Sequence, residues 1–293
     1  MMFGTGGEAM FRTALVALDL LDVLPIKRPL LQCLPDLKNW GIGQIVLAHV
    51  IHDPHGQSFS AVHKKSCINE LEQCAKPLRE CGIEVVVVVR ESSKPAEEIL
   101  AIARDNSADL IVIGSRSQDI ITKLFLGRVA REVIRKTTLP LLLEWIEPSE
   151  VKTDSGDDLI CTNTLRKLLL ATDFSKHAGS AERVAIALAS PGRRIDCMHV
   201  ISGETRELIP AWPIMVTAAL QEIINKIQTT GAESKMIVIP GDAKKMIPKV
   251  AMDGDYSLII VGKHGQNWIE SMVIGSTAEK VCETAGRPVL LVP

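Results

Sequence analysis

Leu258-Ile-Ile-Val-Gly262-Lys-His-Gly265-Gln-Asn-Trp-Ile-Glu-Ser-Met-Val-Ile-Gly275-Ser276-Thr277 is the run on which the fold turns. Its first four residues are aliphatic without polar alternation, the pattern of a strand buried on both faces. Three glycines follow in the spacing G-x2-G-x9-G-S, and helical periodicity then runs from Thr277 to Thr284. Strand, glycine loop and helix in that order set bare backbone beside a helix N-terminus, where free N–H groups and the dipole favour an anion. The glycines are expected to serve close approach to a ligand and positive φ. A Ser276 or Thr277 hydroxyl can donate to a phosphate oxygen or cap the helix. An ordinary glycine-rich turn with a Ser/Thr cap would show the same spacing. GxxxxGK followed by Ser or Thr is absent, so this is not a P-loop. Gly41-Ile-Gly43 precedes a strand instead of following one and is no dinucleotide fingerprint.

The same pattern echoes upstream. Leu110-Ile-Val-Ile-Gly114 matches Leu258-Ile-Ile-Val-Gly262, and Pro140-Leu-Leu-Leu143 matches Pro288-Val-Leu-Leu291. Arg12-Thr-Ala-Leu-Val-Ala-Leu-Asp19 matches Arg166-Lys-Leu-Leu-Leu-Ala-Thr-Asp173, and Leu47-Ala-His49-Val50 matches Cys197-Met-His199-Val200. The offset falls from 154 to 148 along the chain. Pro148 to Thr162 is polar and acidic with no apolar period and reads as a linker. The expected division is a domain over 1–147, a linker over 148–163 and a domain over 164–293.

Composition agrees with one fold used twice. The 293 residues suit two domains at roughly 150 residues each. Hydrophobic residues make up 46% but aromatic residues only 3%, so the apolar content is aliphatic. That suits parallel strands covered by helices and gives little material for base stacking. A net charge of −2 argues against a generally basic nucleic-acid binder. No apolar run approaches the roughly 18 residues that span a bilayer. Thr13 to Ile26 is broken by Asp19 and Asp22 and lacks a basic region before it, so we expect a cytoplasmic protein. Cys67, Cys74 and Cys81 share one helical face with Leu71 and Leu78, about 10.5 Å apart along the axis, too far for a disulfide. They are read as small apolar core residues.

In the second half, strands are expected at Lys167–Ala171, Arg194–Ile201, Met236–Ile239, Leu258–Val261 and Val289–Val292. Helices are expected at Ser180–Ala189, Met215–Thr229, Lys245–Met252 and Thr277–Thr284. Alternating strands and helices imply parallel pairing with right-handed crossovers. The fold class is therefore α/β, two tandem doubly wound domains, each a five-stranded parallel sheet flanked by helices. Such sheets bind ligands beyond the strand C-termini at the switch point, which lies by the loops after the first and fourth strands.

Taken together, Ala171-Thr172-Asp173-Phe174-Ser175 after the first strand, His199-Val200 on the second and G-x2-G-x9-G-S after the fourth resemble the universal stress protein family. The chain resembles its tandem form over almost all of residues 10–147 and 164–293. The resemblance implies a Rossmann-like strand order 3-2-1-4-5, a place among adenine nucleotide α-hydrolase-like folds, and a link to stress response. For the nucleotide-binding branch it implies ATP, or AMP or ADP, with Mg²⁺. It maps nucleotide contacts onto Thr172, Asp173, Val200, Gly262, Gly265, Gly275, Ser276 and Thr277. It also implies that the fifth strands of the two halves pair, making an intramolecular pseudo-dimer that leaves a homodimer open. The physical reading agrees: a carboxylate at a strand end can accept ribose or adenine donors, and strand backbone can meet the adenine edge. Lys263 and His264 lie in the loop and could add charge near phosphates, though a solvated loop lysine fits as well. His199 is read as a sheet-interior residue.

The first half departs from this pattern. In Gly114-Ser-Arg-Ser117 to Gly127-Arg128, Ser117 replaces the middle glycine and Arg128 the hydroxyl residue. Leu18-Asp19-Leu20-Leu21-Asp22 replaces Thr-Asp-Phe-Ser, and Arg90-Glu91-Ser92-Ser93 replaces Pro240-Gly241-Asp242. A degenerate, mostly structural domain is expected, although Arg128 could fill the phosphate site or clamp an acidic ligand. The leading expectation is a nucleotide-dependent regulator or interaction module with unnamed protein partners, binding through its second half. The alternatives are a slow ATP hydrolase or adenylating-type enzyme, for which no nucleophile–base pair or metal cluster is visible, and a nucleotide-free interaction module. Neither a catalytic residue nor a metal ligand is singled out.

Overall fold

A computed structural model of the chain describes residues 10–20, 34–53, 61–116, 126–146, 164–201, 212–266 and 273–293. The first half contains β1 (Thr13–Ala17), β2 (Gln44–His52), β3 (Glu84–Ser92), β4 (Leu110–Arg116) and β5 (Leu141–Ile146). Its helices are α1 (Ala61–Glu80), α2 (Pro95–Asp105) and α3 (Arg128–Lys136), with a 3-10 turn over Leu34–Trp40. The second half contains β6 (Lys167–Ala171), β7 (Arg194–Ile201), β8 (Met236–Pro240), β9 (Leu258–Gly262) and β10 (Val289–Val292). Its helices are α4 (Ala178–Ala187), α5 (Trp212–Gln228), α6 (Ala243–Asp253) and α7 (Ser276–Thr284). The strands at β6, β7 and β10 cover the predicted residues, because uninterrupted aliphatic runs buried on both faces leave little freedom of register. α4 starts earlier than its apolar spacing suggested, at Ala178, whose N–H donates to Ser175 Oγ at 3.1 Å.

All ten strands form one sheet in the order β3-β2-β1-β4-β5-β10-β9-β6-β7-β8. Each half shows the order 3-2-1-4-5 with every internal pairing parallel. The order is symmetrical about the centre, where β5 and β10 pair antiparallel through Leu143↔Val289, Leu142↔Leu290 and Leu141↔Leu291. All six of these side chains are buried. A continuous core follows on each face of the sheet. One is closed by α1, α4 and α5 through residues such as Leu71, Ala181 and Leu220. The other is closed by α2, α3, α6 and α7 through Ile102, Val133, Ala251 and Val281.

A second contact ties the halves together away from the sheet. Asp36 in the 3-10 turn accepts from Thr164 N at 2.9 Å and from the Thr164 hydroxyl, and Trp40 Nε1 donates to Thr164 Oγ1 at 3.1 Å. Arg193 reaches back to the Asn39 carbonyl at 2.9 Å. Near this clasp, Glu144 on β5 is only 5% exposed. Burial, with the Asp36 carboxylate adding repulsion, pushes its carboxyl up to about 7.

Cys67 and Cys74 are buried on α1 as expected, whereas Cys81 lies just past the helix and is exposed. The row of three ends because α1 stops at Glu80 and Gly82 turns the chain at φ +79°. The expected linker and Ser117 fall outside the described residues.

Candidate functional site

β6 is flanked by β9 on one side and β7 on the other, so the chain reverses its winding beside β6. The pairs Ala171↔Val261 and Ala171↔Met198 bring the C-terminal ends of the three strands level. Thr172-Asp173, Val200 and Gly262 to Gly265 therefore meet at one sheet edge, and Gly275 to Thr277 join them through the loop.

The turn after β6 is tightly made. Thr172 is buried, its N–H donates to Met198 O at 3.0 Å, and its hydroxyl donates to Glu182 Oε1 at 2.5 Å. The same hydroxyl accepts from Phe174 N at 3.0 Å. Phe174 stands at φ +57°, a left-handed conformation unusual for a bulky residue. Its ring stacks on His199 at 4.9 Å between centroids. His199 Nδ1 lies 2.9 Å from the Thr172 carbonyl. A carbonyl only accepts, so Nδ1 carries a proton. Burial lowers the His199 pKa, opposed by that hydrogen bond and by Asp173. His199 is thus a buried prop for the turn, as its place on a strand suggested. His49 repeats the arrangement in the first half, 2.9 Å from Leu18 O.

Asp173 links the turn to the glycine loop. Its Oδ1 accepts from Ser175 N at 3.0 Å and its Oδ2 from Gln266 N at 2.8 Å. Gln266 Nε2 donates back to the Asp173 carbonyl at 2.6 Å. The loop is closed at its base, where Gly275 N donates to Lys263 O at 2.8 Å. Val200 lies on β7 opposite Ile239 and is half-buried.

The loop glycines correct one expectation. Gly262, Gly265 and Gly275 are not at positive φ; Gly275 has φ −71°. They are required by space. A Cβ on Gly265 would fall 2.4 Å from Asp173 Oδ2, and one on Gly275 would fall 3.2 Å from Lys263 O. On Gly262 it would meet His264 O at 3.2 Å and Ala178 Cα at 3.3 Å. The hydroxyl expectation is settled in one respect: the N-cap of α7 is Gly275, ahead of Ser276 and Thr277, and a glycine has no side chain with which to cap. Ser276 is exposed and Thr277 half-buried.

Lys263 differs from both of its readings. It neither faces the α7 N-terminus nor extends into solvent. It is 4% exposed, with Nζ 2.8 Å from Arg135 O and 2.6 Å from Thr137 O, and burial lowers its pKa to about 8. Its direction depends on α3, which lies far away in the sequence. His264 stays at the site, with its ring 5.9 Å from that of His177 and Nε2 3.3 Å from Val273 O. Its pKa is lowered, first by burial. Gln266, Glu182 and His177 were not singled out from the sequence. Nothing in their types or spacing marks them apart from solvated polar residues.

Comparison with known proteins fits this arrangement. The model of the universal stress protein family matches residues 10–143 and again residues 164–293. The chain belongs to the universal stress protein family. A universal stress protein of Synechocystis is 24% identical over 78% of this chain and 74% of its own length. One of Methanocaldococcus jannaschii is 35% identical over 26% of this chain; that match spans 46% of the relative. A universal stress protein structure from Archaeoglobus fulgidus shares the fold with a TM-score of 0.71, at 22% identity over 96% of this chain and 97% of that one. In this universal stress protein, the first half has Gly127 as the N-cap of α3, and Arg128 beside it is exposed. Among the described residues, nothing lies within 4 Å of a Cβ on Gly127. No group of three or more His, Cys, Asp or Glu among the described residues could hold a metal. No described helix is long and apolar enough to cross a membrane.

Proposed function

We propose that the second half binds an adenine nucleotide across the C-terminal edge of β6, β7 and β9, and that the chain works as a nucleotide-dependent regulator or interaction module. One observation carries this reading. The Asp173 turn and the glycine loop, 93 residues apart, are hydrogen-bonded to each other at the switch point of the sheet, beside a helix start whose N-cap is a glycine. Membership of the family supports it.

The residues fit such a ligand in three ways. The α7 N-terminus offers backbone N–H groups and a positive dipole end to phosphates, with Ser276 and Thr277 in its first turn. Backbone at Val200 can meet an adenine edge without a special side chain. Asp173 can accept from ribose hydroxyls, exchanging its present contact with Gln266 N for the ligand. Mg²⁺ would be held by the phosphates themselves, neutralising part of their charge. The net charge of −2 is no obstacle, because backbone groups make the attraction local.

Mass spectrometry of the denatured protein reads out whatever ligand it carries through purification, and titration with Mg-ATP covers weaker binding. An adenine nucleotide in either experiment is expected. A chain that carries none and gives no heat with Mg-ATP would overturn the proposal.

A further inference from the structure

Lys263 is part of the glycine loop, yet its side chain enters the first half of the chain. Its two acceptors, Arg135 O and Thr137 O, are at the C-terminal end of α3. There the last helix carbonyls lack intrahelical donors and the dipole is negative. The Lys263 backbone meanwhile organises the loop. Its N–H donates to Val292 O at 2.6 Å, and its carbonyl accepts from Gly275 N, which stands at the start of α7. One residue therefore joins the last strand, the helix start beside the proposed phosphate site, and the far end of a helix from the other half.

Filling this space with an apolar side chain would avoid the desolvation of an amine. Lysine gains a specific grip on two carbonyls that a methionine of similar volume could not make. At the repeat offset of 148, the position matching Lys263 is Ser115, a residue type without that reach. The same offset matches Gly275 to Gly127, the N-cap of α3. α3 thus begins at the altered cradle of the first half and ends on the loop of the second.

We propose that Lys263 is a positioning residue through which the first half fixes the glycine loop of the second, so that nucleotide binding at α7 and order at the C-terminal end of α3 are energetically coupled. This rests on the nucleotide reading above. Coupling between sites is reciprocal. Nucleotide steadies the α3 end, and anything that docks on or displaces α3 shifts nucleotide affinity. The first half, whose own cradle departs from the motif, becomes the regulatory partner of the second within one chain.

The test uses the intact chain, Mg-ATP, calorimetry and amide hydrogen exchange. In the wild type, Mg-ATP is expected to slow exchange in a peptide covering residues 131–139, which includes the Thr137 amide bonded to Val133 O. Lys263→Met, with its fold checked by thermal melting, should lose about ten-fold or more in affinity and no longer transmit that slowing. A folded Lys263→Met that binds within about two-fold of wild type would overturn the proposal, as would wild-type exchange over 131–139 that ignores bound Mg-ATP. Should Lys263→Met fail to fold, the wild-type exchange response decides alone. A wild type that binds no Mg-ATP removes the nucleotide reading and this coupling together; binding with an unaffected Lys263→Met removes the coupling alone.

Discussion

A glycine in a loop can be needed for its backbone angle or for the room it leaves, and the site separates the two. Gly265 sits against the Asp173 carboxylate, and an added Cβ would come within 2.4 Å of Oδ2. Gly265→Ala must push that carboxylate off Gln266 N, and about 1–3 kcal/mol of stability should be lost, read by urea denaturation. Gly127→Ala, where no described residue lies within 4 Å of the added Cβ, should stay within about 0.5 kcal/mol of wild type. The positions of these glycines were legible because G-x2-G-x9-G-S directly follows an aliphatic run. Their reason was not, since the clash at Gly265 involves a carboxylate 92 residues away. The direction of Lys263 is hidden from the sequence on the same ground. A lysine between two glycines looks solvated or ligand-facing until α3 is placed against it.

The elements were legible wherever periodicity alone determines them. β6, β7 and β10 needed only their aliphatic runs, while the Leu34–Trp40 turn carries no repeat and became visible only through Asp36 and Thr164. The joint between β5 and β10 rests on three residue pairs, all apolar. Leu290→Ala should therefore cost about 2–5 kcal/mol, measured as a shift in the urea midpoint. The joint region also sets a pH dependence. The Glu144 carboxyl is raised from 4.5 to about 7, so the folded state holds a proton there that the unfolded state has released. Its contribution is complete below 4.5 and is lost as pH rises to 7. The melting temperature should fall over that window, and Glu144→Gln should flatten the fall. Lys263 is lowered from 10.5 to about 8, so here the unfolded state binds the extra proton and stability recovers as pH rises from 8 to 10.5. Lys263→Met should abolish that upper arm.

At the scale of the whole molecule, two repeats share one ten-stranded sheet and have diverged in what they offer at its C-terminal edges. The second half keeps a loop closed at its base, an Asp173 turn bonded to it and a glycine N-cap on α7. The first keeps Gly127 and the buried histidine, with Arg128 where the second has the hydroxyl residue. The shared strand order follows from the repeat and was open to a reader of the sequence; the lysine that crosses between halves was not. The assignment of the nucleotide site to one half is tested most directly by titrating Mg-ATP into wild type, Gly275→Val and Gly127→Val in a calorimeter. A Cβ at 275 already presses on Lys263 O at 3.2 Å, and the larger valine displaces the loop from the α7 start. Wild type and Gly127→Val are expected to bind alike, and Gly275→Val not to bind. Absence of heat with wild type, or wild-type affinity in Gly275→Val, would contradict the assignment.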